Sequence, residues 1–295
     1  MVSADNFRVF LELARSKRLG DAAQRLQMDQ TTVSRRLGRL EQELNVRLFD
    51  RGVSGWTLTE AGRRVLPHAE SMETILAAAM DSASPRTGAL AGTVRVLSPD
   101  GFGAYLLIPA LSDLRERHDD LMVEVFTSTT HDLITGRDFD IAITLEKPSR
   151  RLVEVHKLAD YDLGLYASAE YLERHGAPRD RSELAEHPFI WYLDSLLDVQ
   201  PLKSLAEHLA EARLMVQTNN ITGHYTAARQ GLGIAPLPTY IGDAEPGLVR
   251  VLPRDFTVTR TYWVVIPKDL VRLGRVNAIG ALLKQIVDDS EHLRA

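Results

Sequence analysis

Apolar positions between Gly20 and Arg51 fall on one helical stripe. Val33, Leu37, Leu40 and Leu44 are spaced four, three and four apart, the period of an α-helix with a single buried face. Just upstream, Asp21 to Gln27 forms a shorter amphipathic piece with Ala22, Ala23 and Leu26 inward, and Met28 and Asp29 separate the two. Asp29 suits the N-cap of the second helix, because its carboxylate can accept from the free N–H groups two and three residues on. The pattern predicts helix, tight turn, helix, the arrangement that lays a second helix into the major groove. Before it, Ser3 to Ala14 predicts a supporting helix, capped by Ser3, with Phe7, Phe10, Leu11 and Ala14 as its stripe. After it, Val46–Phe49 and Trp56–Thr59 read as short strands joined by DRGVSG, a wing with Gly52 and Gly55 at its turn.

Thr59 opens a longer helix, with Glu60 complementing its positive end. Ala61, Val65, Ala69, Met72, Leu76 and Ala79 recur at four and three. At about 24 residues this helix is ~36 Å long, more than the small N-terminal domain can cover, and Pro67 is a place for it to bend. Its stripe of Val65, Ala69, Met72, Leu76 and Ala79 needs a partner, most simply the same helix of a second copy. Pairing also supplies two recognition helices for two half-sites. The Pro/Gly stretch SPRTGALAG (84–92) reads as a hinge.

From Thr93 strands and helices alternate. Strands are predicted at Thr93–Leu97, Val123–Thr127 and Asp140–Thr144, with helices at Phe102–His118 and His131–Thr135 between them. That βαβαβ order implies a parallel sheet. Further strands are predicted at Leu152–Leu158, Asp162–Ala167, Phe189–Tyr192, Met215–Thr218, Gly233–Ala235 and Thr261–Pro267. Helices are predicted at Ala169–His175, Leu202–Ala212, Gly223–Gln230 and Val276–Ser290. The chain thus leaves a first α/β lobe near Tyr161, builds a second, and returns. The domain reading is 1–58 for the DNA-binding head, 59–83 for the linker helix, 84–92 for the hinge and 93–295 for the α/β part. Within it, lobe I is 93–161 and 267–295, and lobe II is 162–266.

The outward face of the Asp29–Leu44 segment carries the chemistry. With Val33 and Leu37 inward, Thr31, Ser34, Arg35, Gly38 and Arg39 point out or to the flanks, and no acid interrupts them before Glu41. Short hydroxyls, an amide and guanidiniums suit phosphate oxygens and base edges. The candidate DNA contacts are Gln30, Thr31, Thr32, Ser34, Arg35, Arg36 and Arg39, with Arg51 at the wing. The duller alternative is a solvated helix face. Gly38 inside a helix costs about 1 kcal/mol against alanine, and close approach of another backbone would be its return.

These residues resemble a known family. Ala22-Ala23, the Gln30–Ser34 helix start, Leu40-Glu41, Leu48-Phe49-x-Arg51 and Leu58-Thr59-x-x-Gly62 are similar to the N-terminal winged helix-turn-helix of LysR-type transcriptional regulators. Asn45 stands where that family usually has a glycine, and Asp29 where it commonly has serine. Asparagine also tolerates the left-handed C-cap conformation. More loosely, Gly92-x-Val94-Arg95-Val96, Asp138-Phe139-Asp140-Ile141-Ala142-Ile143 and Gly231-Leu232-Gly233-Ile234-Ala235-x-Leu237-Pro238 resemble the effector-binding domain of the same regulators. The resemblance implies an all-α winged helix-turn-helix domain and long linker helix, followed by a two-lobe periplasmic-binding-protein-like (type 2) α/β effector domain. It also implies dimer or tetramer assembly, double-stranded DNA and RNA polymerase as partners, and a small-molecule effector between the lobes.

Charge is consistent with a DNA-binding head. The formal net charge is −5, but residues 1–66 hold 12 Lys+Arg against 8 Asp+Glu, leaving 23 against 32 in the rest. A basic head on an acidic body concentrates the attraction for phosphate at one end. There is no cysteine, which excludes disulfides, thiolate metal sites and cysteine nucleophiles. The N-terminus is not patterned as an export signal, and no apolar run reaches the roughly 20 residues of a membrane span, so a cytoplasmic protein is expected. The histidines are scattered, with no HExxH, P-loop, GxGxxG or GxSxG spacing. No metal or cofactor is expected. A Ser128/His131-Asp132 dyad lacks an oxyanion hole and an orienting group, so no enzymatic activity is expected.

In open α/β sheets, ligands sit at the carboxyl ends of strands. That rule selects Ser98 and Asp100 after the first strand, and Thr127, Ser128, Thr129 and Thr130 after the second. In lobe II it selects Trp191, with Tyr192 beside it, and Asn219, Asn220 and Thr222. Several have a duller reading as helix caps or turn residues, and Trp191 as core. An Asp100 carboxylate facing the cleft would favour a donor-rich or cationic effector. The rival functions are an effector-independent regulator with a vestigial cleft, and an enzyme fused to a DNA-binding head.

Overall fold

The computed structural model describes residues 3–52, 55–83, 90–127, 139–149, 152–193 and 213–295. The chain divides into two compact units, Met1–Ser84 and Pro85–Ala295. The segments predicted as helices at His131–Thr135 and Leu202–Ala212 lie outside the described residues.

The first unit holds α1 (Ala4–Ser16), α2 (Leu19–Arg25), α3 (Gln30–Leu44), β1 (Phe49–Gly52), β2 (Gly55–Leu58) and α4 (Glu60–Ala83). Ser3 caps α1, its hydroxyl accepting from Asp5 N–H, and Asp29 caps α3, its carboxylate accepting from Thr32 N–H. Val9, Phe10, Leu13, Ala22, Val33, Leu37, Leu40 and Leu48 form one buried core. α3 ends at Asn45, which takes the left-handed conformation at φ 53°. The first wing strand starts later than the apolar pattern predicts, and the second lies one residue earlier. Val46–Leu48 are not strand. Instead the Glu41 carboxylate accepts from Leu48 N–H at 2.7 Å and from Phe49 N–H at 3.3 Å, and antiparallel pairing starts at Phe49↔Leu58.

The wing is tied to the helices by backbone. Trp56 N–H donates to the Lys17 carbonyl at 2.9 Å. Gly55, at φ 118°, lies where a Cβ would meet that same carbonyl. Thr59 is the hinge pin into α4: its N–H donates to the Leu48 carbonyl, its hydroxyl donates to the Arg47 carbonyl at 2.8 Å and accepts from Gly62 N–H at 3.0 Å. A side chain on Gly62 would run into the Leu48 carbonyl oxygen. The Leu58-Thr59-x-x-Gly62 spacing therefore has both a bond and a close approach behind it.

The second unit contains β3 (Gly92–Ser98), α5 (Asp100–Phe102), α6 (Ile108–Arg117), β4 (Leu121–Thr127), β5 (Ile141–Thr144), β6 (Val153–Ser168), α7 (Ala169–His175), β7 (Pro188–Tyr192), β8 (Arg213–Thr218), α8 (Ile221–Arg229), β9 (Ala235–Pro238), α9 (Thr239–Gly242), β10 (Leu248–Val251), β11 (Val258–Pro267), α10 (Gly274–Asp288) and β12 (Leu293–Arg294). The helix predicted at Phe102–His118 starts earlier and is interrupted by a π-helical turn, Gly103–Leu107. The large sheet runs β10-β6-β11-β5-β3-β4, with β9 and β12 also on β6. β3 is parallel to both β4 and β5, as the βαβαβ order predicts, but β11 is antiparallel to β5 and β6. A separate parallel pair, β7 and β8, belongs to the second lobe.

The two strands predicted at Leu152–Leu158 and Asp162–Ala167 are one strand, β6. Asp160 looks like a breaker in sequence. In the sheet it faces out and accepts the Thr261 hydroxyl at 2.6 Å, while Asp162 accepts Thr259 at 2.6 Å and Arg294 at 2.8 and 2.9 Å. Ala159, Tyr161 and Leu163 alternate with them on the buried face. β6 and β11 thereby run from one lobe into the other. In the first lobe, Arg95 N–H donates to the Asp140 carboxylate and Asp140 N–H to the Arg95 carbonyl, both at 2.8 Å. In the second, Ile190 N–H donates to the Ile234 carbonyl and Ile234 N–H to the Pro188 carbonyl, both at 2.9 Å.

Candidate nucleic-acid interface and effector cleft

α3 presents its predicted face to solvent. Val33, Leu37 and Leu40 are buried, while Gln30, Thr31, Arg35 and Arg39 are exposed. The Asp29 carboxylate accepts from the Thr31 hydroxyl, the Thr32 N–H at 2.7 Å and the Thr32 hydroxyl at 2.8 Å. Those bonds, the Thr31 hydroxyl first, hold its pKa well below the usual carboxylate range. Ser34 is half-buried on the flank. Arg39 Nε lies 3.3 Å from Glu43 one turn on, and Arg51 stacks over the Trp56 ring at 4.4 Å. Arg36 departs from the expectation: it turns back toward α1, 3.5 Å from Asp5, because position 36 lies on the side of α3 that faces α1. Among the described residues, nothing pairs with the Arg35 guanidinium. A Cβ on Gly38 would meet nothing within 4 Å, so the interior of the fold does not require glycine there.

The α4 stripe is divided between two jobs. Ala69 is 1 % exposed, and Val65 and Leu66 pack with it on the head's own core, so Val65 and Ala69 are not free for a second copy. Arg15 locks this half of α4 to α1 through a two-bond pair with Glu73, at 2.6 and 3.2 Å. Met72 is half-buried, whereas Leu76, Ala79 and the unpredicted Ile75 are exposed. The reason is length: the first turns of α4 lie over α1, and the rest runs past it.

In the second unit, the residues at the strand ends are treated very differently by the fold. Ser98 is buried, its hydroxyl donating to the Pro99 carbonyl at 3.0 Å, and Trp191 is buried as well. Both were expected to face a ligand. Gly103 and Thr127 close over Ser98 instead, and Trp191 lies within the core of its lobe. Thr127 is exposed, and Ser128, Thr129 and Thr130 lie outside the described residues. Asn220 caps α8, its Oδ1 accepting from Gly223 N–H at 2.6 Å and its amide donating to Asn219 at 3.0 Å.

Asp100 does not cap its own helix. Its carboxylate accepts from both the Thr222 N–H and the Thr222 hydroxyl, each at 2.9 Å. That bond joins the end of β3 in one lobe to the first turn of α8 in the other. Tyr105 and Tyr225 meet edge-to-face beside it, with centroids 5.7 Å apart, and Gly101 lies against Ile221 and Tyr240. Below this contact lies an aromatic floor: Tyr161 stacks on Tyr262 at 4.1 Å, Tyr240 and Tyr262 share a hydroxyl–hydroxyl bond of 2.8 Å, and Phe102 meets Tyr262 edge-on. Burial raises the phenol pKa of Tyr161, Tyr192, Tyr240 and Tyr262, so all stay protonated. His224 is fully buried beside Tyr192, and burial lowers its pKa to about 4.

Two family models match the chain: a bacterial regulatory helix-turn-helix of the lysR family over residues 4–63, and a LysR substrate binding domain over residues 87–287. The chain belongs to the LysR family of transcriptional regulators. Among its relatives, the HTH-type transcriptional regulator DmlR of Escherichia coli is 27% identical over 294 residues, covering 95% of this chain and 93% of that one. CrgA of Neisseria meningitidis is 25% identical over 260 residues, covering 85% and 84%. The solved structure of CrgA aligns over 97% of this chain and 99% of that one, with TM-score 0.59 and 24% identity. A full-length OxyR variant from Pseudomonas aeruginosa aligns over 96% and 98%, with TM-score 0.69 and 18% identity. These likenesses support the fold.

For this LysR-family regulator, sequence reasoning missed the aromatic floor and Arg260. The available signal was the run Thr259-Arg260-Thr261-Tyr262, in which Arg260 and Tyr262 share the buried face of a strand. Among the described residues no group of three or more His, Asp or Glu side chains is placed to hold a metal ion, and no helix is long and apolar enough to cross a membrane.

Proposed function

We propose that this regulator recognises its operator with α3 laid in the major groove. Gln30, Thr31, Arg35 and Arg39 read or brace the duplex there, Thr32 and Ser34 sit at the helix start and flank, and Arg51 reaches backbone from the wing. The observation that carries this is the outward face of α3: four polar residues without an acid between them, one of them an arginine with no partner among the described residues. Chains pair through the exposed far half of α4, with Met72, Leu76 and Ala79, joined by Ile75, against a second copy. Dimers pair again into a tetramer, and the complex acts on RNA polymerase in the cytoplasm.

The effector-binding unit, residues 93–295, holds a small molecule between lobe I (93–161 and 267–295) and lobe II (162–266). Asp100, Thr127, Asn219, Asn220 and Thr222 stand at the rim, with Tyr192 below. Ligand-dependent reorientation of the lobes changes the spacing of the recognition helices and so the bend in DNA. The test is genome-wide mapping of bound DNA, followed by titration of a recovered site with wild type and Arg35→Ala. Operator binding that is indifferent to Arg35 would remove α3 from the interface.

A further inference from the structure

Capping α3 needs a single bond, from the Asp29 carboxylate to a backbone N–H two or three residues on, and Thr32 N–H supplies it at 2.7 Å. The same carboxylate also accepts from two side chains. The Thr31 hydroxyl donates to Oδ1, and the Thr32 hydroxyl donates to Oδ2 at 2.8 Å. Asp29 and Thr31 are exposed and Thr32 is half-buried, so the trio opens to solvent at the start of the helix whose outward face carries Arg35 and Arg39. A hydroxyl has one O–H and two lone pairs, and an ionised carboxylate has about four acceptor sites and no donor. Both threonine O–H groups are committed to Asp29, which leaves only lone pairs facing outward. Three of the carboxylate's acceptor sites are filled, two on Oδ1 and one on Oδ2, so Oδ2 keeps a free one. The same bonds, the Thr31 hydroxyl first, keep Asp29 ionised far below neutral pH. Every side-chain oxygen of the trio is therefore an acceptor. Such a surface repels phosphate oxygens, and in the major groove it repels the O6 of guanine and the O4 of thymine. It fits the amino groups there, N6 of adenine and N4 of cytosine.

We infer that Asp29 sets base preference: by fixing Thr31 and Thr32 as acceptors, it makes the first turn of α3 a reader of one exocyclic amino group and bars guanine and thymine from that position. Asp29 is thus a positioning residue for the two threonines, with one lone pair of its own turned to the same task. Serine, common at this position in the family, caps a helix as well as aspartate does. It would leave both threonine hydroxyls free to turn and donate, to phosphate or to a keto oxygen. The inference rests on the reading that α3 lies in the major groove, and names what its first turn selects there.

The experiment is selection from a randomised duplex library by the full-length protein, with bound sequences counted, for wild type, Asp29→Ser, Asp29→Asn, Thr31→Val and Arg35→Ala. Denaturant stability is measured on each. Wild type is expected to exclude guanine and thymine from one position of each half-site by about tenfold. Asp29→Ser should relax that position several-fold, at unchanged stability, and leave the other positions as they are. It should also bind non-operator duplex more tightly, since a negative charge has left the interface. Asp29→Asn should relax the same position, because its amide brings in a donor, and Thr31→Val should relax it in part. An Asp29→Ser profile identical to wild type, or a wild-type half-site with no position closed to guanine and thymine, overturns the inference and leaves Asp29 a cap only. So does relaxation spread evenly over the half-site with lost stability, which marks a loosened helix. If Arg35→Ala changes neither affinity nor profile, α3 does not meet the duplex, and the inference falls together with the reading beneath it.

Discussion

Asp100 and Thr222 are 122 positions apart in the chain, yet the carboxylate of one accepts both the N–H and the hydroxyl of the other. The contact places a negative charge on the first turn of α8, where the helix dipole favours it. It links the two lobes of the effector-binding unit at a point above the aromatic floor.

Removing that clasp should loosen the first turn of α8. Asp100→Ala is expected to cost about 1.5–3 kcal/mol, the range of a hydrogen bond to a charged group. The Thr222 amide should exchange with solvent faster, while amides of the β3–β4 pair stay protected. Native-state hydrogen exchange reads both. Unchanged protection at Thr222 would show that the clasp is absent in solution.

Arg35→Ala should weaken operator binding by about 1–3 kcal/mol, with a shallower salt dependence if the contact is to phosphate. Arg36→Ala should do less, because Arg36 leans toward Asp5. Fluorescence anisotropy titrations at two salt concentrations separate the cases.

Gly38 and Gly62 predict opposite outcomes for the same change. Gly62→Ala should destabilise the head by about 1–3 kcal/mol, since the new methyl runs into the Leu48 carbonyl. Gly38→Ala has open space around it and should stabilise α3 by up to about 1 kcal/mol, while lowering operator affinity if α3 meets the duplex closely. Chemical denaturation and DNA titration on the same preparations measure both.

His224 makes stability depend on pH. Burial lowers its pKa from 6.5 in the unfolded chain to about 4, so between these values the unfolded state binds more protons. Stability is therefore highest above about pH 6.5 and falls as pH drops toward 4, by roughly 3 kcal/mol in all. Denaturant titrations across that window should show the loss, and His224→Phe should flatten this part of it.

Leu76→Glu should drive the protein toward monomer, because Leu76 lies on the half of α4 that the head leaves uncovered. Ala69→Glu should instead unfold the head, since Ala69 is within its core. Sedimentation and circular dichroism together distinguish the two.

The head was legible in the sequence nearly to the residue. Ser3, Asp29 and Asn45 cap the helices they precede or follow, and Val33, Leu37 and Leu40 point inward, because local bonds and a 3.6-residue period decide both. The first wing strand starts later than its apolar pattern because the Glu41 carboxylate, seven positions back, captures the Leu48 N–H. In the effector unit, Asp160 hid the continuity of β6, since the hydroxyl it accepts comes from Thr261 across the sheet. Ser98 and Trp191 were chosen by a rule about strand ends, which says nothing of what covers them.

What the sequence determined on its own was everything carried by short-range periodicity and capping: the helix-turn-helix, the polar face of α3, the alternation of strands and helices and the charge difference between the two halves. Tertiary structure alone decided which half of α4 stays uncovered, that Asp100 serves Thr222, and that Arg260 lies buried among tyrosines. Those outcomes depend on residues far apart in the chain meeting through its topology, and no local pattern encodes such a meeting.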